Sequence, residues 1–356
     1  MWKYIYDKIK IRLSLIRNRK FTLYQKATLI NCLIASKLWY VSHVYPLPLE
    51  YAKLINKEIF QFIWGSNVNP IKREVVCNKK ENGGLGLLNI YEKAKCIFVS
   101  TMIRTFLLSS ENDLIRYYVS NKIGYIFNVK KAPRMVSAFN TPYYEYAVDT
   151  IKRCKNHKNF PNVKSKDIYD LLVSKVVPNI VSKYAFDWPN IWKNLNFKYM
   201  NIIDRNIMFK FVYDILPTNK RLSQIRIRQS SECENCNMED TNSHKFYHCY
   251  KVQDCIIWLR KVIYYICGIK VNSLIKILYL DIPKIDRRNM NSMCIIITCY
   301  ISCVWYNRED LNYIKNIVRA KIIREQRFHM RLIGEKAKRV FSDNYCQLNM
   351  RILKNL

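Results

Sequence analysis

Between Leu23 and Tyr45 the apolar residues Leu23, Ala27, Ile30, Ile34, Leu38, Val41 and Tyr45 recur at steps of three and four. That spacing puts them on one stripe of an α-helix and is incompatible with a strand, whose faces alternate every second residue. Pro46 and Pro48 then forbid continuation. A second stripe, Ala52, Ile55, Ile59, Phe62 and Ile63, ends at Trp64-Gly65 and can fold back on the first as a helical hairpin. Glycine is scarce: the 356 residues contain 7, of which Gly83, Gly84 and Gly86 sit together. With so little turn chemistry, long helices are expected over residues 92–108, 165–175, 191–216, after His244, and over 291–331. Residues 71–89 break the helical period and suggest a short ribbon or structured loop. Residues 121–142, with Lys130, Lys131 and Pro133, read as the start of a linker or mobile insertion. The expected organisation is a helical region over 1–120, the linker over 121–164 and a second helical region over 165–356.

Half of the residues are apolar, enough to bury a substantial core. Lys and Arg number 60 against 27 Asp and Glu, a formal charge of +33, and such a surface attracts polyanions, nucleic acid above all. A membrane partner is not expected: the most apolar run, residues 293–306 (MCIIITCYISCVWY), is shorter than the roughly 20 residues a span requires. The N-terminal MWKYIYDKIKIRLSL scatters charges where a signal peptide keeps an unbroken apolar centre. Thirteen cysteines, without the density of a secreted disulfide framework, fit free thiols in a reducing compartment, cytoplasmic or nuclear.

Three of those cysteines and two of the five histidines fall in CENCNMEDTNSHKFYHC, residues 233–249. Cys233, Cys236, His244 and Cys249 have the spacing C-x2-C-x7-H-x4-C. Two thiolates on a tight turn, followed by an imidazole and a third thiolate entering a helix, are what a closed tetrahedral Zn²⁺ site requires. A competing set replaces Cys249 by His248, because His244 and His248 lie four apart on one helix face. Its seven-residue gap is short for a finger of that kind, which favours Cys249. Four protein ligands leave no open position for water, so the metal is expected to serve folding and not hydrolysis. The stretch would act as a clip joining Ile225-Arg226-Ile227-Arg228 to the helix that carries Trp258. The fold class expected is mainly α: helical hairpins and a bundle, with a small zinc-binding clip and at most a short β ribbon.

Two blocks resemble the C-terminal part of a LINE-like, non-long-terminal-repeat retrotransposon reverse transcriptase. The first holds LYQKATLINCLIASKLWYVSHVYPLP, INKEIFQFIWGS, IKREVV and ENGGLGLLNI, in the order found after the polymerase thumb of that family. The second holds IWKNLNF, FKFVYDILPTNKRL, the Cys-Cys-His-Cys cluster, Trp258 and CVWYNRED, and resembles the family's zinc-binding region. The resemblance implies a post-thumb region followed by a zinc-binding region, holding template RNA and target DNA near the polymerase during target-primed reverse transcription. It also shows what this chain does not contain. The family's palm carries two adjacent aspartates, which Mg²⁺-dependent phosphoryl transfer needs, and no Asp-Asp pair occurs here. The chain is therefore expected to bind and not to catalyse, as a piece of a larger polyprotein.

Basic rows supply the candidate contacts to RNA or DNA. Lys3, Lys8, Lys10, Arg12, Arg17, Arg19 and Lys20 crowd the N-terminal helix. Lys220, Arg221, Arg226 and Arg228 precede the clip; Arg308, Arg319, Arg324 and Arg327 recur through the last long helical segment. A solvated helix face is the plain alternative for any one row. Gly83-Gly84-Leu85-Gly86 lacks the Gly-Lys-Ser/Thr ending of a phosphate loop and reads as a turn. Trp39, Trp64, Trp192, Trp258 and Trp305 stand among apolar neighbours and are expected in the core. Two other functions remain compatible with the sequence. One is the tail of an intact RNA-directed DNA polymerase whose palm is encoded upstream; the other is a host protein-interaction module using the helical hairpin.

Overall fold

The computed structural model describes residues 1–108, 142–154, 164–271 and 273–356. The fold is mainly α, as expected; among the described residues there is no strand, and a single isolated β-bridge pairs Glu232 with Glu239. The chain forms two compact units, Met1–Lys79 with Gly84–Val176, and Lys80–Gly83 with Val177–Leu356.

The first unit contains α1 (Trp2–Arg17), α2 (Leu23–Leu29), α3 (Ser36–Ser42), α4 (Leu49–Trp64), α5 (Arg73–Cys77), α6 (Ile90–Leu108), α7 (Pro142–Cys154) and α8 (Ser165–Leu172). Thr22 and Gln25 start α2 with a reciprocal capping box. The stripe that begins there does bury Leu23, Ala27, Ile30, Ile34 and Leu38. It does not run straight to Tyr45. A π turn over Ile30–Ile34 separates α2 from α3, and the Ala35 amide donates to the Ile30 carbonyl five residues back. Such a turn inserts one residue into the helix. The buried face moves by one position, so Ser42 is buried, its hydroxyl donating to the Leu38 carbonyl, while Tyr45 is exposed. The second stripe is buried as spaced, against both α1 and α2. Lys26 donates from Nζ to the carbonyls of Phe62 and Ile63 at 2.9 Å each, placing a cation on the C-terminal turn of α4, which Gly65 ends in the left-handed region.

Residues 71–89 are not a ribbon. Arg73–Cys77 is a short helix, and the loop beyond it is held by two asparagine side chains in place of a β ladder. Asn31, inside the π turn, bonds the Gly86 carbonyl and the Leu88 amide; Asn78 bonds both the amide and the carbonyl of Val176. Gly84 packs so closely that a Cβ would lie 1.9 Å from the Asn78 carbonyl oxygen, which accounts for this glycine as a packing requirement of a turn.

Of the segment expected as a linker, residues 121–141 and 155–163 lie outside the described residues. Residues 142–154 are α7, whose Ala147, Ile151 and Cys154 are buried with Phe98, Val99 and Ile103 of α6 and Ile168 of α8. This apolar cluster draws α8 into the first unit, so the division falls after Val176 and not at residue 164.

The second unit contains α9 (Ile180–Lys183), α10 (Trp188–Leu195), α11 (Ile202–Val212), α12 (Asn219–Gln224), α13 (Tyr250–Cys267), α14 (Leu274–Leu278), α15 (Arg287–Tyr306), α16 (Ile314–Ile333), α17 (Ala337–Val340), α18 (Asp343–Cys346) and α19 (Met350–Asn355). Its axis is α15, buried at every position from Asn291 to Trp305 and packed against α11, α13 and α16. The apolar run of residues 293–306 is thus a core helix; no described helix is long and apolar enough to cross a membrane. Among the expected core tryptophans, Trp192, Trp258 and Trp305 are buried, and Trp39 and Trp64 are half-buried. Burial pushes the Cys96, Cys255 and Cys267 thiols up to about 12, so they fill the core as neutral groups.

Asp214, at φ +53° just beyond α11, joins several of these segments. Its carboxylate accepts from Lys183, from the Tyr184 hydroxyl at 2.8 Å, from Asn242 at 3.0 Å and from the Tyr279 hydroxyl at 2.9 Å. Its carbonyl accepts from Arg221 at 2.9 Å. A second tie, Lys321 on Asp204 at 2.6 Å, fastens α16 to α11.

Gly65 and Gly84 of the first unit separate conformational from steric demands. Gly84→Ala is expected to destabilise that unit by about 3 kcal/mol through backbone overlap, and Gly65→Ala, which meets open space but a left-handed φ, by about 1 kcal/mol. Denaturant midpoints of the two variants, read on the transition of the first unit, check the order.

Candidate metal centre

The clip begins where α12 ends. Thr218 caps α12, Arg226 takes a left-handed φ of +59°, and the chain turns into the bridge at Glu232 and Glu239. Within that bridge the Cys233 amide donates to the Met238 carbonyl at 2.7 Å, and the amides of Cys236 and Asn237 both donate to the Cys233 carbonyl. Asn237 adopts φ +58°, which lets the chain close a turn that brings two cysteines three apart to one side. Thr241 accepts from the His244 amide at 3.0 Å and starts the next turn.

That turn decides which residue completes the cluster. In an α-helix residues four apart share a face, which would pair His244 with His248. Residues 244–248 instead form a π turn, in which the Cys249 amide donates to the His244 carbonyl at 2.8 Å. The wider turn stacks positions five apart and so places Cys249 beside His244. The ligand atoms of Cys233, Cys236, His244 and Cys249 all lie within 4.8 Å of one another. The Cys236 sulfur is 3.1 Å from His244 Nε2 and 3.9 Å from the Cys249 sulfur. His248 is exposed and outside the cluster. The 3.1 and 3.9 Å separations match a tetrahedral ion, for which ligand bonds of about 2.0–2.3 Å put donor atoms under 4 Å apart, and the outer limit of 4.8 Å calls for the cluster to tighten slightly around one. Three thiols and an imidazole without a carboxylate can hold a soft or borderline metal such as zinc.

Burial lowers the His244 imidazole below its ordinary value, against the opposing pull of Asp240, which favours the neutral form that binds metal. Burial, followed by the neighbouring Cys233 and Cys236, pushes the Cys249 thiol up; a cation among the three sulfurs reverses that preference.

The clip is seated on the core by Phe246, fully buried in the π turn, whose ring meets Phe211 edge-on and lies parallel to Trp305; its carbonyl accepts from Tyr300 at 2.7 Å. Beside the ligands lies a buried ion pair, Lys245 with Asp240 at 3.1 Å, and Asp240 also accepts from the Asn219 amide at 2.8 Å. Sequence reading passed over both Lys245 and Asp240. Their position between ligands within a metal motif was the available signal.

The basic residues expected to contact nucleic acid divide into braces and free groups. Lys220 pairs with Glu239 at 2.8 Å and Arg228 with Glu234 at 2.6 Å, the latter also bonding Asn219; the Arg228 hydrogen bond holds the Glu234 carboxyl below its usual value. Arg221 is committed to the Asp214 carbonyl. Arg308 lies over the Trp305 ring at 4.8 Å and Arg319 over Trp258 at 5.2 Å. Arg226, Arg324 and Arg327 are exposed and form no ion pair among the described residues. The geometry thus assigns five of the eight to holding the clip or covering the core, and leaves three open.

Comparison of the sequence with protein-family models and with curated proteins finds no match to either.

Two outcomes are expected. His244→Ala abolishes stoichiometric metal binding while His248→Ala leaves it intact, read as bound metal per chain. Lys245→Met strands the buried Asp240 charge and costs about 3 kcal/mol of the second unit's unfolding free energy, most of it recovered in the double variant with Asp240→Asn.

Proposed function

We propose that the chain is a zinc-stabilised nucleic-acid-binding module, derived from the C-terminal region of a LINE-like reverse transcriptase. The observation that carries the reading is the convergence of Cys233, Cys236, His244 and Cys249, separated in sequence yet within 4.8 Å at their ligand atoms. Zn²⁺ is the ion this donor set prefers among the common divalent metals, and its shell is filled by protein, so its work is to fix the fold of the clip.

The charge supports a polyanionic partner. Three of the scarce carboxylates, Asp204, Asp214 and Asp240, are each tied to a lysine, and these neutral pairs leave the net excess of Lys and Arg over Asp and Glu undiminished on the rest of the chain. On α16 the exposed Arg324, Arg327 and Arg331 flank the exposed Phe328, a combination suited to phosphate contact with base stacking on a single strand. The family assignment rests on the two blocks of resemblance. RNA and DNA are both admitted, with the remainder of a reverse transcriptase as the natural companion, and without palm carboxylates the role of this chain is binding.

Zinc content and a salt titration test the proposal together. One Zn²⁺ per chain is expected, with affinity for structured RNA falling by at least about tenfold between roughly 50 and 200 mM salt. Cys236→Ser is expected to lose both the metal and most of the binding, and the pair Arg324→Gln with Arg327→Gln to keep the metal and reduce the salt slope by about 2. Unchanged zinc in the Cys236→Ser variant, or binding indifferent to salt, overturns the reading; salt-resistant capture of a protein points to the interaction module instead.

A further inference from the structure

A cleft of about 510 Å³ opens in the second unit, away from the metal ligands. Lys193, Lys198, Arg287 and Arg339 line it, with the rings of Phe197 and Tyr199, and no carboxylate is among its lining residues. Among the described residues none of the four cations forms an ion pair, although an arginine nearby does: Arg288, next to Arg287, reaches Asp286 and Asp343. Cations on three separate segments, the end of α10 and its following turn, the start of α15 and the end of α17, therefore line one cavity with no carboxylate in its lining, Lys198 lying over the Tyr199 ring at 5.3 Å.

The walls are fixed from behind. Asn291 donates to the Val340 carbonyl at 2.8 Å, joining α15 to α17, and Asn194 donates to the Leu280 carbonyl at 3.0 Å. The turn that carries Phe197 and Tyr199 is held by buried His329. A carbonyl can only accept, so His329 Nε2 carries the proton it gives to Tyr199 at 2.9 Å; Nδ1 then accepts from the Tyr345 hydroxyl at 3.0 Å. Arg205 donates to the carbonyl of Met200 at the end of the same turn. The amides at the start of α15 are already capped by Asp286, so selectivity for an anion comes from the side chains and not from that helix end.

We infer that this cleft binds a nucleotide unit, its phosphate held by the unpaired Arg287 and Arg339 with Lys193 and Lys198, and its base against Tyr199 and Phe197. The volume lies within the 300–1,000 Å³ or so typical of small-ligand sites and exceeds what a bare phosphate fills. Guanidinium groups match phosphate oxygens in pairs, and aromatic rings accept any base by stacking. The inference deepens the nucleic-acid reading and rests on it in this sense: the unit is either a free nucleotide or the phosphorylated end of a strand.

The test uses the full chain and three probes: a nucleoside 5′-monophosphate, inorganic phosphate, and a single strand with or without a 5′-phosphate. Calorimetry is expected to show the monophosphate, or the 5′-phosphate on the strand, bound at least about tenfold tighter than inorganic phosphate or the unphosphorylated strand. Arg287→Gln with Arg339→Gln, both exposed and outside the core, is expected to remove that tenfold preference, with zinc content and salt-sensitive strand binding retained. Arg324→Gln with Arg327→Gln is expected to leave nucleotide binding alone. Preference for the monophosphate identifies the free ligand, preference for the phosphorylated strand identifies a strand end, and either supports the site. Equal binding of inorganic phosphate, no preference for any phosphorylated probe, or a preference that survives the double variant overturns it. Because strand binding and zinc are read separately, loss of the cleft's preference alone leaves the nucleic-acid module standing, and loss of salt-sensitive strand binding alone refutes the module.

Discussion

The second unit turns on one carboxylate. Asp214 is bonded by groups from α9, from the residue just after it, from α12, from the middle of the clip and from the end of α14, and its own left-handed backbone marks the corner where α11 stops. Short helices cannot hold position alone, since a helix of a few residues is marginal without tertiary contacts. Tying the end of α9, the clip and the end of α14 to one half-buried anion, with α12 held on the same residue's carbonyl, gives them a shared origin. The clip is included, because Asn242 stands two residues before His244, so the imidazole is aimed by a network that begins outside the metal cluster.

That arrangement clarifies the chain's charge. A net +33 is usually read as a property of the surface alone. Here the acids are few and several are internal, each paired with a cation or a set of donors in a low-dielectric setting where an unpaired charge would be costly. Because each of these inward acids takes a lysine with it, the pairs are neutral and the basic excess remains a property of the other residues. Lys220 and Arg228 show the other side of the same economy: two cations that look available in sequence are taken by Glu239 and Glu234 to shape the clip.

The helical character, the two N-terminal stripes and the buried run of residues 293–305 were legible because period and burial coincide over many residues. The Cys233, Cys236, His244 and Cys249 cluster was legible because cysteine and histidine at short intervals are rare. What escaped has a common physical origin. The register shift that buries Ser42 in place of Val41 comes from a π turn, and no propensity marks the position of one inserted residue. Residues 71–89 need no ribbon because Asn31 satisfies Gly86 and Leu88 from outside the loop and Asn78, within it, reaches the backbone of Val176, long-range contacts that local pattern cannot encode. The reach of α8 into the first unit depends on apolar partners from α6 and α7, again invisible in a local window.

The π turn at His244–His248 also bears on how such a site tolerates change in chain length. Removing one residue between His244 and Cys249 would leave the two ligands four apart, the interval an ordinary α turn aligns on one face. The interval between imidazole and thiolate is therefore a measure of turn width and not a fixed property of the centre. A chain with H-x3-C and a chain with H-x4-C can present the same four atoms to a metal, differing only in how many residues the helix needs to come around. Insertion and deletion, commonly ruinous inside a ligand motif, have here a conformational equivalent that the backbone can absorb.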